Sequence, residues 1–231
     1  MDEVTISTAE AMVTDLETPS PAFTSAFAQH GAVMLLVGLD EVQLVAHVSY
    51  LTKNSEFFQA AMKREWAEGQ TNIIKLPKDD PKTMTDYLTF TYSRDLPTSK
   101  RVEGCPNLTE DDWNSVAKLY VFGERVLDTC IRNTIVSEIV RVATMPDAKG
   151  NTSFIGSVAS NILFDGTPKR APIRRLIVDE HISNGKKDWL DATDNPELLL
   201  DLAHALLEKV SCRQPYEEFR RRKMKAEDYF V

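Results

Sequence analysis

The chain is poor in the residues that build most chemical sites. It has only three cysteines, Cys105, Cys130 and Cys212, odd in number and far apart. No Cys-x-x-Cys pair occurs, so neither a zinc site nor a disulfide framework is signalled, and free thiols in a reducing compartment are expected. Its four histidines, His30, His47, His181 and His204, are scattered, and no two have the spacing of a helical metal-ligand pair. Nine dispersed glycines form neither G-x-G-x-x-G nor G-x-x-x-x-G-K, so the common phosphate loops are excluded. A G-x-S-x-G nucleophile elbow is also missing. With no convergent nucleophile, metal cluster or cofactor motif, the expectation is a non-enzymatic protein without cofactors. The opposing reading, a small enzyme with an unrecognised site, would require a deep polar pocket holding His and carboxyl groups.

Long apolar runs and excess basic charge are lacking too. The longest strongly apolar run, Ala32 to Val37, is far too short to span a bilayer. The first residues, Met-Asp-Glu, do not lead from a basic region into an apolar one, so no secretory signal is expected. A net charge of −8 disfavours nonspecific contact with nucleic acid or an anionic membrane. Protein partners and a cytoplasmic or nuclear location are the expectation.

The pattern that is present predicts an α+β fold with a small sheet. Residues 1–22 are polar and end in Pro19-Ser20-Pro21, which reads as a mobile leader. Phe23 and Phe27, four apart, fit one face of a short helix before Gly31. Two apolar runs, Ala32–Val37 and Val42–Ala46, flank Gly38-Leu-Asp-Glu41 and predict a β-hairpin. The first run has no polar alternation, so both of its faces are expected to be buried. Two short helices follow, over Val48 to Leu51 and from the cap residues Asn54-Ser55 to Met62. A third strand over 72–76 is closed by Pro77, and Asp79-Asp80-Pro81 opens a helix with Met84, Tyr87, Leu88 and Thr91 as its buried stripe. Asp79-Asp80 and Asp111-Asp112 are read as helix caps rather than catalytic pairs.

A helix from about Trp113 to Leu127 should bury Trp113, Val116, Leu119, Tyr120, Gly123 and Leu127. Another, from Thr129 to about Val142, should bury Ile131, Ile135, Ile139 and Val142. Residues 145–150 are a candidate boundary before a helical region, 143–231. There Pro196 opens an amphipathic helix whose stripe Leu198, Leu199, Leu202, Leu206 and Val210 is read as core, or else as a groove for a partner helix. The basic run Arg220 to Lys225 is either the solvated face of a terminal helix or a nuclear-localisation signal.

The order hairpin, helical pair, strand, helix, two helices resembles the BTB/POZ fold over residues 23–142. The resemblance rests on His47 after the hairpin, on Leu51 to Phe58 with Ser55 and Phe58 in the family's Ser and Phe positions, and on Ile73-Ile-Lys-Leu-Pro77 before Asp79-Asp80-Pro81. It rests also on Tyr87-Leu-Thr-Phe-Thr-Tyr92 with Leu96-Pro97. Thr167-Pro168 and Ile173-Arg-Arg-Leu-Ile-Val-Asp179 look like the C-terminal segment of fungal BTB-only proteins. The chain departs from the family at Ala32 and Val48, where Asp and Lys are usual, so the charged co-repressor pocket is not expected.

This resemblance implies a protein-interaction module that forms homodimers, pairs with other BTB proteins, or seats a cullin scaffold as the adaptor of a ubiquitin ligase. In such adaptors a hydrophobic-x-Glu motif precedes the third strand; the matching residues here are Trp66 and Glu68. The family's dimer face maps to Phe23, Phe27, Val48, Tyr50 and Leu51. An adaptor should expose Trp66 and Glu68, whereas a self-associating or transcription-associated scaffold without a ligase role has no need to expose Trp66.

Overall fold

A computed structural model describes residues 31–63, 65–97, 108–145, 153–185, 189–190, 194–211 and 224–231. The expected leader 1–22, Phe23, Phe27 and the basic residues 220–223 lie outside the described residues. Within them the protein is α+β, with a three-stranded sheet and nine α-helices.

The hairpin pairs β1 (Ala32–Val37) antiparallel to β2 (Val42–His47). Its turn needs left-handed backbone: Gly38 has φ +77, and a Cβ there would lie 3.4 Å from the Asp79 carbonyl oxygen. Strand β3 (Ile73–Leu76) pairs parallel to the other edge of β1, so the order is β2-β1-β3. Side chains alternate across the sheet. Val33, Leu35, Val37, Ala46, Ile74 and Leu76 are buried. On the opposite face Met34 and Leu36 are only half-buried, and Val45 and Ile73 are exposed. The expectation that β1 is buried on both faces is therefore corrected, because the core lies against one face.

Between β2 and β3 run α1 (Val48–Thr52), α2 (Glu56–Ala61) and α3 (Ala67–Thr71). The next helix, α4 (Pro81–Ser93), starts as its sequence requires. The Asp80 carboxyl accepts from Thr83 N at 3.0 Å, and Pro81 stands where no N–H is needed. Its stripe Met84, Tyr87, Leu88 and Thr91 is buried. Helix α5 (Glu110–Arg125) begins three residues before Trp113, because Thr109 and Asp112 form a reciprocal capping box. Trp113, Val116, Leu119, Tyr120 and Gly123 are buried as expected, but Leu127 is 47% exposed. The helix ends at Arg125, and Leu127 sits at φ +54 in the following turn, off the helical stripe.

That turn leads into α6 (Thr129–Thr144) through Asp128, which is fully buried. Its carboxyl caps α6 by accepting from Ile131 N at 3.1 Å and accepts the Tyr87 hydroxyl at 2.9 Å. Burial, reinforced by Asp128, pushes the Tyr87 phenol well above its usual range, so it remains a donor. Ser55 caps α2 through Phe58 N and donates to the Val126 carbonyl at 2.6 Å.

Among the described residues three further α-helices follow: α7 (Ser157–Gly166), α8 (Pro172–Asn184) and α9 (Pro196–Ser211). Helix α7 packs on α5, α8 on α7, and α9 on both α7 and α8. One apolar cluster runs from Val33 to Tyr229, so region 143–231 shares the core of the preceding helices. Arg174 fastens it from inside. The guanidinium donates to the Phe164 and Thr167 carbonyls at the end of α7, to Thr167 Oγ1 at 3.1 Å, and to Glu197 of α9 at 2.6 Å. Leu198 and Leu202 are buried in α9, but Leu206 is exposed beside Leu200 and Leu207. The expected core stripe is thus corrected at Leu206: α9 runs past the helices it packs on. Val210's side chain lies outside the described residues.

Helix α8 also buries Glu180 and His181. Burial raises the Glu180 carboxyl to about 8, only partly offset by a donor, Ile155 N at 3.4 Å. Burial lowers the His181 imidazole, whose Nδ1–H donates to the Ile177 carbonyl at 2.8 Å.

Two outcomes follow. Asp128→Ala removes a helix cap and strands the buried Tyr87 hydroxyl; it should cost about 2–4 kcal/mol in urea unfolding. For Glu180, the folded state binds a proton that the unfolded state releases, so stability falls as pH rises towards 8. His181 works in the opposite sense, but only up to the ordinary imidazole range. Between pH 6.5 and 8 the Glu180 slope should therefore dominate, at up to about 1.4 kcal/mol per pH unit, and Glu180→Gln should flatten it in melts across that window.

Candidate protein-interaction surface

The short helix α3 projects a tryptophan that the core does not claim. Trp66 occupies its N-cap position with extended backbone and is 59% exposed. Main-chain bonds fix the residue on both sides: Trp66 N donates to the Lys63 carbonyl at 3.0 Å, and Gln70 N donates to the Trp66 carbonyl at 3.2 Å. Glu68 lies in the first turn and is half-buried, and its carbonyl accepts Asn72 N at 2.9 Å. Asn72 closes the helix at φ +54, a left-handed position that asparagine tolerates, and turns the chain directly into β3. A negatively charged residue in the first turn suits the positive end of a helix.

Gly69 sets where this helix sits. A Cβ at that position would lie 2.2 Å from the Lys63 carbonyl oxygen, so only glycine allows so close an approach. Gly69 and Gln70 then form one wall of an open groove of about 630 Å³, completed by Gly31, Val48, Met62 and Asn72. Backbone bonds from Val48 N to the Gly31 carbonyl and from Met34 N to the Asn72 carbonyl hold its walls together.

The candidate dimer residues divide. Val48 is half-buried and lines this groove together with Gly69 and Gln70 of α3. Tyr50 is half-buried, its ring 4.6 Å from that of Tyr92 and 6.1 Å from His47. Leu51 is 0% exposed. Its assignment to a dimer face is corrected: the side chain is spent in the core and offers nothing to a second molecule.

His47 is buried and hydrogen-bonded within the protein. The Tyr92 hydroxyl accepts His47 N–H at 2.9 Å and lies 2.9 Å from Nδ1, to which it donates in the tautomer with Nδ1 unprotonated. Burial raises the Tyr92 phenol, which keeps that proton in place at neutral pH. Among the described residues, no group of three His, Cys, Asp or Glu side chains is placed to hold a metal ion, and no helix is long and apolar enough to cross a membrane.

Trp66 and Glu68 were singled out by the family resemblance, whereas the groove beside them had no counterpart in the sequence reading. Its lining comes from four separated stretches of chain, and only Gly69, a glycine inside a helical segment, carried a local cue.

Gly69→Ala should force α3 away from Lys63 and cost about 1–3 kcal/mol in thermal or urea unfolding. The altered Trp66 environment should appear as a shift in indole fluorescence. A comparison of the sequence with family models finds no match, and a search of curated proteins finds none either.

Proposed function

We propose that this chain is a non-enzymatic interaction module of the BTB/POZ type, acting as the adaptor between a substrate and a cullin RING ubiquitin ligase. The observation that carries the reading is the exposed Trp66 at the start of α3, immediately before β3. A tryptophan left in water keeps a large apolar surface that a partner pocket can bury, and tryptophans dominate many interfaces for that reason. Glu68 two residues on supplies direction and partner choice more than affinity. The succession of hairpin, short helices, parallel third strand, capped helix and two long helices supports the same reading. In this proposal the helices after α6 present the substrate, being joined to the module through a shared core.

Self-association without a ligase role is the second reading. Val48 and Tyr50, both half-buried near one end of the sheet, favour it. A symmetric pair would cover the same patch on both copies.

The test is calorimetric titration of the full chain against a cullin N-terminal domain, with molar mass read by light scattering. Saturable binding is expected, weakened by about 2 kcal/mol or more in Trp66→Ala and clearly reduced in Glu68→Lys. A folded wild-type chain that does not bind would sink the adaptor reading for that cullin. Its mass would then separate a self-associating scaffold from a monomer.

A further inference from the structure

Residues 224–231 return to the helices in a way that ordinary chain packing does not require. Their 3-10 turn, Ala226–Tyr229, lies across α6 and α8. Tyr229 is 5% exposed. Its hydroxyl donates to Asp179 Oδ2 at 2.9 Å, and the Arg175 guanidinium stands 5.0 Å over its ring. The same guanidinium donates to the Asp228 carbonyl. Asn133 of α6 reads the main chain of Val231 in both directions, accepting from its N–H at 3.0 Å and donating to its carbonyl at 3.4 Å. Met224 and Ala226 pack against the core upstream, while Phe230 and Val231 stay exposed.

We infer that the cleft between α6 and α8 is a recognition site for a linear peptide, occupied in cis by residues 224–231, and that its outside ligand is a protein segment carrying a tyrosine. Each part of the cleft does one job that such recognition needs. The apolar floor takes an aromatic ring, and Arg175 lies over the ring face, where the quadrupole attracts a cation. Asp179 distinguishes tyrosine from phenylalanine, since the half-buried carboxyl loses this hydrogen bond when the hydroxyl is missing. Asn133 pairs with backbone, which fixes register without regard to side chains. The occupant is visible in place, so the chemistry of the ligand is read from what the cleft already holds.

Twelve residues, 212–223, separate this segment from the end of α9. Covalent attachment makes binding of that segment intramolecular, which favours it over a free peptide. A free peptide therefore meets a closed site in the wild-type chain and an open one when the attached segment is weakened. This inference stands apart from cullin binding, which uses α3, so either can fail alone.

The test measures fluorescence anisotropy of a labelled peptide of residues 224–231, amidated at its end, against the full-length chain. Binding to the Tyr229→Ala chain is expected to be at least tenfold tighter than to wild type. Adding Arg175→Ala to that chain should lower it at least tenfold, and Tyr229→Phe within the peptide should weaken it several-fold. A folded Tyr229→Ala chain that does not bind, or a wild type that binds equally well, overturns the inference. So does a wild-type dimer that becomes a monomer in Tyr229→Ala, because a second copy would then supply the segment. If Tyr229→Ala does not fold, amide exchange at 225–230 is read in wild type with millimolar peptide. Faster exchange is expected there, and unchanged exchange overturns the inference.

Discussion

The turn between α5 and α6 is the point on which the first half of the molecule depends. Asp128 has no exposure to water, yet both of its carboxyl oxygens are engaged, one by the start of α6 and the other by Tyr87 of α4. Asp128 N donates to the Gly123 carbonyl, and Ser55, the cap of α2, bonds the carbonyl of Val126 two residues earlier. A short bridge between Ser55 and Asp128 closes the ring. Four helices are thereby referred to one tripeptide. A buried acceptor is costly unless all its partners arrive together, so the arrangement favours one mutual placement of those helices over its neighbours. Gly123 belongs to the same constraint, because a Cβ there would lie 2.6 Å from an Ile131 methyl group.

The second half is braced within itself by two adjacent arginines that point in different directions. Arg174 turns inward to the last carbonyls of α7 and to Glu197, whose carboxyl is held below its usual range chiefly by that hydrogen bond. Arg175 turns outward to Tyr229 and Asp228. Trp113 of α5 adds a bond to Ser153, ahead of α7. The C-terminal helices therefore have no independent core. A change that loosens α8 would be felt at α7, at α9 and at the cleft that holds Tyr229. For a module proposed to carry a substrate on these helices, such rigidity fixes the substrate's position relative to α3.

The features on which the proposed function rests sit where the core leaves something over. Trp66 lies on a helix of five residues, too short to bury a face of its own. The groove beside it exists because Gly69 lets α3 approach Lys63. At the far end, α9 extends Leu206 and Leu207 beyond the helices that cover Leu198 and Leu202.

Local rules were legible in the sequence because their physics is local. Ser55, Asp80-Pro81 and the acidic residues before Trp113 mark helix starts that the chain uses, since a cap needs only a neighbouring N–H. Periodicity located the buried faces of α4, α5 and α6 for the same reason. The candidate pair Trp66 and Glu68 came from the family resemblance, whereas the strands and helices were legible as an α+β succession. Tertiary structure alone decided which apolar positions are covered. Met34, Leu36, Leu127 and Leu206 read as core, and Leu51 as surface, because hydrophobicity states what a residue would gain by burial but not whether a distant element arrives to bury it. The meeting of Tyr87 with Asp128, of Arg175 with Asp228 and of Tyr229 with Asp179 spans 41 to 53 residues of chain. No local pattern encodes such contacts; they follow from how the helices pack.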